Sequence, residues 1–514
     1  MQEQIRLQRF VYILAVIKIL IPYVLQNGIY EPHRDELLYL AEGKHPAWGF
    51  MEVPPVLSVF AWLTHVFGDG IFWIKLWPSL FGAGTFILCG DLIIRLGGRT
   101  LAVVLCFFAF IFGAYLRVFF LFQPNPPEIF FWTFTAFCIV RFIQTGRDKW
   151  LYLFGIGAGL GLMSKYSIAL FLFSVLGGLL LTKERTLLKR KAFWLGSLAG
   201  FAIFLPNFAW QASHHFPVVH HMQELQRTQL QYVSPVSFMI DQLIMNIPCF
   251  FIWIAGLLGI AFSRSLRPFR FLAVAYVIVI ALLLVTHGKN YYSLGVYPLL
   301  FAFGAVQLEQ WTRKKSLVLR WAFIVVPIVL GLLAIPVALP IMAPQQLAAL
   351  YVKMKVKKTG VLKWEDQKDH PLPQDFSDML GWREMSVKMA AAYKRLSPAE
   401  RDSVVLFCDN YGIAGAISLY GNKDGLPPPY SANASFLYWL PQNFHPRNLL
   451  LLTDDPHEME HDFIRNFTSA VVMDSITAPF ARERGDLIIY LKGANEKFDA
   501  MLQEKIRLAK AGVE

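Results

Sequence analysis

Runs of apolar residues long enough to cross a bilayer recur through the first two thirds of this chain, and that repetition restricts its fold to a bundle of spanning helices. Crossing the hydrocarbon core takes ~20 residues of helix, and backbone groups in lipid must be satisfied within the span itself. Such runs lie at about residues 10–27, 71–94, 100–121, 127–143, 150–164, 166–182, 192–210, 238–262, 271–286, 291–308 and 317–339, giving roughly eleven transmembrane helices. Composition agrees, with 55% hydrophobic and 16% charged residues and a mean hydropathy of +0.45. The first run lacks a small-residue cleavage site, so it reads as a retained helix, not a signal peptide.

Basic residues are retained on the cytoplasmic side of short loops. One alternating set of loops holds Arg6, Arg9, Arg95, Arg99, Arg141, Arg147, Lys149, Lys183, Arg185, Lys189, Arg190, Lys191, Arg264, Arg267, Arg270, Arg313, Lys314, Lys315 and Arg320. The other, counting span ends, holds only Arg34, Lys44, Lys75, Arg117, Lys165, Arg227 and Lys289. This predicts a cytoplasmic N-terminus and, after an odd number of spans, a C-terminal domain on the outer side. The net charge of +12 belongs to the same signal. Residues 1–340 carry 27 Lys and Arg against 14 Asp and Glu, whereas the remainder carries 21 against 22, so no nucleic-acid surface is implied. Four of five cysteines, Cys89, Cys106, Cys138 and Cys249, lie in or beside apolar runs and only Cys408 lies beyond them. No cysteine spacing resembles a metal site.

Residues 1–340 therefore form a transmembrane unit, with outer loops at about 28–70, 211–237 and 287–291, and residues 341–514 a second unit. In the latter, β-branched runs at 404–408, 449–453, 470–473 and 487–491 read as buried strands, and 411–420 and 456–466 as helices, a small soluble α/β domain. The segment 409–416 follows a strand and opens a helix, where backbone donors could hold an anion or sugar.

The chemistry-bearing residues of the transmembrane unit fall on one predicted side. Asp35, Glu36, Glu52 and Glu128 supply carboxylates, Lys165, Lys289, Arg34 and His45 supply cations, and Tyr166, Tyr291, Tyr292, Tyr297, Trp48 and Trp132 accompany them. Charges beside apolar surroundings are costly unless paired or functional. A lipid-linked sugar phosphate suits this inventory. Its tail needs an apolar groove, its phosphate a cation at the interface, and its anomeric carbon a nearby base to deprotonate an incoming hydroxyl. Departure of the phosphate raises its charge, which a lysine stabilises. A single displacement inverts the anomeric carbon.

The residues that carry a family likeness are Asp35-Glu36-Leu37-Leu38-Tyr39-Leu40, Ala47-Trp48-Gly49-Phe50 and Pro54-Pro55. Further along stand Gln123-Pro124-Asn125 ahead of Glu128, Gly159-Leu160-Gly161-Leu162 ahead of Ser164-Lys165-Tyr166, and Gly288-Lys289 with Tyr291-Tyr292 and Tyr297-Pro298. Together with Asn410-Tyr411-Gly412 and Ala414-Gly415-Ala416, they resemble the GT-C glycosyltransferases related to protein O-mannosyltransferases and the lipid A aminoarabinose and galacturonic acid transferases, bacterial branch. The resemblance implies that Asp35 is the catalytic base, Glu36 an orienting or charge-tuning partner, and Glu128 a second acidic site residue. It implies donor phosphate or lipid contacts at Lys165, Lys289, Tyr292, Tyr166 and Arg34, and acceptor or sugar contacts at Glu52, Trp48 and His45. Many relatives have Lys or His directly before the proline aligned with Pro54, whereas this chain has Val53, so a phosphate contact there must come from elsewhere.

The resemblance further implies a polyprenyl-phosphate sugar donor, a lipid, glycan or protein acceptor, surrounding membrane lipids, and a place in a bacterial inner membrane with the C-terminal domain periplasmic. No cofactor is expected, the lipid-linked sugar being a substrate. His214, His215, His220 and His221 crowd one loop, but no two have the i, i+4 spacing of a helical zinc pair, so no metal is expected there either. A lipid transporter or flippase would also use many helices and a lipid groove. Transporters place ionisable residues near the midplane and often show repeated halves; here the charges collect at one face and no repeat is visible. A third reading is a non-catalytic receptor whose second domain does the binding.

Overall fold

The computed structural model describes residues 2–313 and 317–511. Lys314 and Lys315 of the basic loop set lie outside the described residues, as do the last three residues of the second unit. Among the described residues, seven helices are long and apolar enough to span: Gln2–Leu25, Ile71–Arg95, Asn125–Thr145, Lys191–Ser213, Arg267–Val285, Asn290–Thr312 and Leu317–Ala338. The other four expected runs are shorter or broken. The run at 100–121 forms Thr100–Ile111 and Ala114–Val118, interrupted at Gly113, whose φ of 72° no ordinary helix residue adopts. The run at 238–262 divides into Pro235–Ile244 and Phe250–Phe262 around Pro248. The remaining two form Lys149–Leu162 and Ile168–Leu180, of 14 and 13 residues.

Small residues set the closest helix approach. Gly155 and Gly159 of Lys149–Leu162 face Gly196 and Gly200 of Lys191–Ser213 so closely that an added Cβ on any of them would meet the opposite backbone. Without a hydrophobic force between helices in lipid, such small-residue contacts supply the packing. The glycine-rich stretch ahead of Lys165 is thus a helix-packing surface.

The C-terminal domain contains a five-stranded sheet of β1 (Val404–Cys408), β2 (Pro429–Tyr430), β3 (Asn448–Thr453), β4 (Phe467–Ser475) and β5 (Leu487–Ala494), in the order β2-β1-β3-β5-β4. β1 runs parallel to β2 and β3, while β5 is antiparallel to β3 and β4. The helix expected at 456–466 is instead two short 3-10 turns, 458–460 and 462–466. Thr453 and Asp455 divert the backbone there, Thr453 Oγ1 accepting from the Asp455 N–H and Asp455 Oδ1 from the His457 N–H, local bonds that compete with helix.

Two helices join the units: α1 (Arg34–Glu42), in the first loop, and α2 (Tyr411–Asp424), after β1. Leu37, Leu38 and Leu40 of α1 share one buried cluster with Ile413 and Ile417 of α2, Trp382 and Met385 of Trp382–Arg395, and Leu406, Leu450 and Ile488 of the sheet. Burying each such leucine contributes roughly 1.5–3 kcal/mol. α1 is therefore part of the C-terminal domain's core although it lies between the first two spanning helices.

Candidate active site

α1 starts at His33 because the chain caps itself there. His33 Nδ1 accepts from the Asp35 N–H at 3.1 Å, and the Glu36 carboxylate accepts from the His33 N–H at 2.7 Å. This places Asp35 in the first turn, where the exposed N–H dipoles favour a carboxylate. Its side chain remains 36% accessible. Oδ1 accepts from the Tyr411 hydroxyl at 2.9 Å, and Oδ2 from Gln123 Nε2 at 3.2 Å.

Glu36, one residue on, is fully enclosed. It pairs with Lys75 at 2.5 and 2.6 Å and also accepts from the Phe122 N–H at 2.5 Å. A charge so buried is tolerated because it is paired and bonded throughout. Its geometry ties α1 to the helix Ile71–Arg95 and to the loop before Asn125. Arg34 is likewise occupied: it donates to Glu483 at 2.8 Å and lies over the Tyr411 ring at 5.2 Å. Arg34 was expected to meet a lipid phosphate; this pairing turns it instead into the C-terminal domain.

From Asp35 a hydrogen-bonded chain leads into the membrane unit. Gln123 accepts from Asn125 Nδ2 at 3.2 Å, and Asn125 Oδ1 accepts from Lys165 Nζ at 2.6 Å. Lys165 also bonds Glu128 at 2.7 Å, and Glu128 accepts in turn from the Ser167 hydroxyl. The Lys165 ammonium sits 4.8 Å from the Tyr292 ring and 5.8 Å from the Tyr291 ring. Asp35, Glu128, Lys165 and Tyr292 are thus brought together at the end of the bundle that bears the C-terminal domain. Gln123 and Asn125 stood in a motif of the sequence, yet neither carried a predicted role.

Lys289 bonds Gln229 and lines an open cleft of ≈ 390 Å³ with Arg117, Tyr232, Lys363, Trp364 and Asp375. Arg117 forms an ion pair with Asp375, and Asp375 stands 3.6 Å from His33 Nε2, so the cleft opens beside the residue that caps α1. His33, Asp375 and Asp378 hold potential metal-ligand atoms within 4.8 Å of one another. Their negative charge is met by Arg117 on Asp375 and by Arg482, 3.5 Å from Asp378. His33, Arg117 and the pair Asp375 and Asp378 carried no predicted site role, because they come from three distant parts of the chain and form no motif.

The remaining predicted contacts hold the first loop. Tyr166 donates to Asn207 at 3.0 Å and accepts from Gln211 at 2.9 Å, while Asn207 and Gln211 donate to the carbonyls of Trp48 and Phe50. The Trp48 ring is exposed. His45 stacks on Trp439 at 4.1 Å. Glu52 accepts from the Ser435 hydroxyl at 2.6 Å, and burial raises its carboxyl above the usual range. Glu42, whose two oxygens are buried without a hydrogen-bond partner among the described residues, is pushed well up by burial and by Glu52. Two of the backbone donors expected to bind an anion at 409–416 are already used: Asn410 Oδ1 accepts from the Ile413 N–H and Asn433 Oδ1 from the Tyr411 N–H, each at 3.1 Å.

The site therefore combines a bundle of apolar helices, an accessible carboxylate, a polar cleft lined by charges of both signs, and a small α/β domain. Residues 52–210 match the family described as dolichyl-phosphate-mannose-protein mannosyltransferase. ArnT from Cupriavidus metallidurans, solved bound to undecaprenyl phosphate, is similar over 94% of this chain and 97% of its own, with a TM-score of 0.61 and 13% identity. The apo form of that ArnT gives 0.59 over the same shares, also at 13% identity. No curated protein sequence matches. The chain thus shares the fold of that ArnT, and under a third of it, residues 52–210, matches the mannosyltransferase family.

Proposed function

We propose that this protein transfers a sugar from a polyprenyl-phosphate donor to a lipid, glycan or protein acceptor at the outer face of a bacterial inner membrane, with inversion and without a metal. Asp35 removes the proton from an acceptor hydroxyl as that oxygen attacks the anomeric carbon. The bond from that carbon to the phosphate oxygen breaks, and its electron pair leaves with the polyprenyl phosphate. Lys289 and Arg117, on the cleft, are placed to meet the growing phosphate charge, and Lys165 with Glu128 ends the hydrogen-bonded chain that starts at the base. A phosphate monoester, with a second pKa near ~6, leaves without a general acid.

The observation that carries this reading is the accessible Asp35 carboxylate, hydrogen-bonded by two neutral donors, Tyr411 and Gln123, while the His33 imidazole stays beyond hydrogen-bond distance at 3.9 Å. Neutral donors orient a carboxylate while leaving it able to take a proton. Lipid mass spectrometry of membranes with and without the protein tests the reading. A polyprenyl-phosphate sugar should accumulate in its absence, and an unchanged pool of such lipids in both membranes would count decisively against it.

A further inference from the structure

The C-terminal domain reaches Asp35 at one atom. Tyr411 begins α2, and its hydroxyl donates to Asp35 Oδ1 at 2.9 Å across 376 residues of sequence. Three independent features hold it there. Asn410 caps α2 through the Ile413 N–H and donates to Asp454 at 2.8 Å, fixing the first turn. Arg34 covers the Tyr411 ring while bonded to Glu483. Gly412 and Gly415 let α2 lie directly on α1: an added Cβ at Gly412 would stand 2.7 Å from Arg34 Cγ, and one at Gly415 would stand 2.8 Å from the Leu37 backbone. Neither Asp35 nor Tyr411 lies within residues 52–210, the part that matches the mannosyltransferase family.

Resting on the reading of Asp35 as base, we propose that Tyr411 is a positioning residue for it, so that the catalytic carboxylate is oriented only when the C-terminal domain is seated on α1. A carboxylate oxygen held by one hydroxyl keeps its other lone pair free for the acceptor proton. Gln123 fixes the second oxygen from the membrane side. With one donor from each unit, the carboxylate plane is set by the junction of the two. Losing the hydroxyl frees rotation about the Asp35 side chain and removes a bond that favours the ionised form. The other titratable groups around this carboxylate are His33, Arg34, Tyr39 and Tyr291, all of which remain when the Tyr411 hydroxyl is removed.

The test compares wild type, Tyr411→Phe, Asp35→Asn and a protein carrying 3-fluorotyrosine at 411. The donor is the lipid-linked sugar isolated from membranes that lack the protein. Tyr411→Phe should lower kcat roughly 10-fold, the worth of one hydrogen bond to a charged group, with KM for the donor unchanged. The acidic limb of its rate profile should move to higher pH. The more acidic fluorophenol donates more strongly and should move that limb to lower pH, a response that a merely space-filling ring would not give. An unmoved limb and wild-type kcat in Tyr411→Phe, with Asp35→Asn inactive, overturns this role while leaving the transferase reading intact. Transfer that survives in Asp35→Asn overturns the reading of Asp35 as the base, and the role of Tyr411 falls with it. If Tyr411→Phe does not fold, the fluorotyrosine protein decides alone, an unshifted limb being the adverse result.

Discussion

The guanidinium of Arg34 donates to the carboxylate of Glu483 at 2.8 Å, joining the residue directly before the candidate base to the far end of the chain. Both side chains are buried. Around this pair the first loop is bonded to the C-terminal domain at several points. Glu31 accepts from the N–H groups of Trp382 and Arg383, Lys44 donates to the Ser418 carbonyl, and Glu52 accepts from Ser435. The loop that carries Asp35 is thereby tied to the C-terminal domain both before and after α1.

Removing one partner of that pair should be more damaging than removing both. Glu483→Ala leaves a buried guanidinium uncompensated, which costs roughly 3–5 kcal/mol, whereas apolar replacement of both partners is far milder. Thermal unfolding of Glu483→Ala and of the Arg34→Met, Glu483→Leu double variant, followed by tryptophan fluorescence in detergent, measures the difference. Equal melting of Glu483→Ala and wild type would show that the pair does not hold the junction.

Asp35 and Glu36 are neighbours with opposite expected phenotypes. Asp35 is accessible and meets two neutral donors, while Glu36 is enclosed with Lys75 and two backbone N–H groups. Asp35→Asn should reduce transfer by about 10²–10⁴-fold, the usual contribution of a general base, with donor binding and melting temperature retained. Glu36→Gln should lower the melting temperature and reduce activity only in proportion to the folded fraction. Rates normalised to folded protein separate the two, and a catalytic defect in Glu36→Gln at full folding would contradict this assignment.

The sequence makes some of this legible and hides the rest for physical reasons. Apolar length marks membrane segments, since each span must satisfy its own backbone, and Val404–Cys408 and Asn448–Thr453 declare themselves as strands by β-branched and leucine content. Apolar content does not report interruption, so the break at Gly113 within 100–121 is visible only in the fold. Asp35 and Glu128 stand out because charge is rare beside spans. The division of labour between Asp35 and Glu36 depends on Lys75, a residue 39 positions away that reads as an interfacial cation. Tyr411 lies in a glycine-containing turn whose backbone suggested anion binding, and only the docking of α2 on α1 reveals that its side chain is the relevant group.

Gly415 should tolerate no side chain. A Cβ there would stand 2.8 Å from the backbone and Cβ of Leu37, and backbone cannot yield as a flexible side chain can. Gly415→Val should therefore force α2 away from α1, lower transfer at least as much as Tyr411→Phe, and expose the 37–41 segment to proteolysis or hydrogen exchange. An equally large substitution at the exposed Lys423, at the far end of α2, is the control expected to leave activity and protection unchanged. Protection of 37–41 retained in Gly415→Val would mean that the helices accommodate the change elsewhere.

Asp486 should set a pH dependence on the stability of the C-terminal domain. It is buried, its Oδ2 has no hydrogen-bond partner among the described residues, and burial together with the nearby Glu483 and Asp454 carboxylates pushes it up to about 8. In the unfolded chain the same group ionises near its ordinary ~3.9. Between those values the folded state holds a proton that the unfolded state has released, so stability falls as pH rises from about 4 towards 8. Asp486→Asn carries no ionisable proton and should abolish this slope, melting close to wild type at pH 4 and higher at pH 8, by on the order of a few kcal/mol. Thermal melts of the two proteins across that range measure it directly. Parallel pH profiles would show that Asp486 does not hold its proton in the folded protein, and that another group supplies whatever pH dependence this domain has.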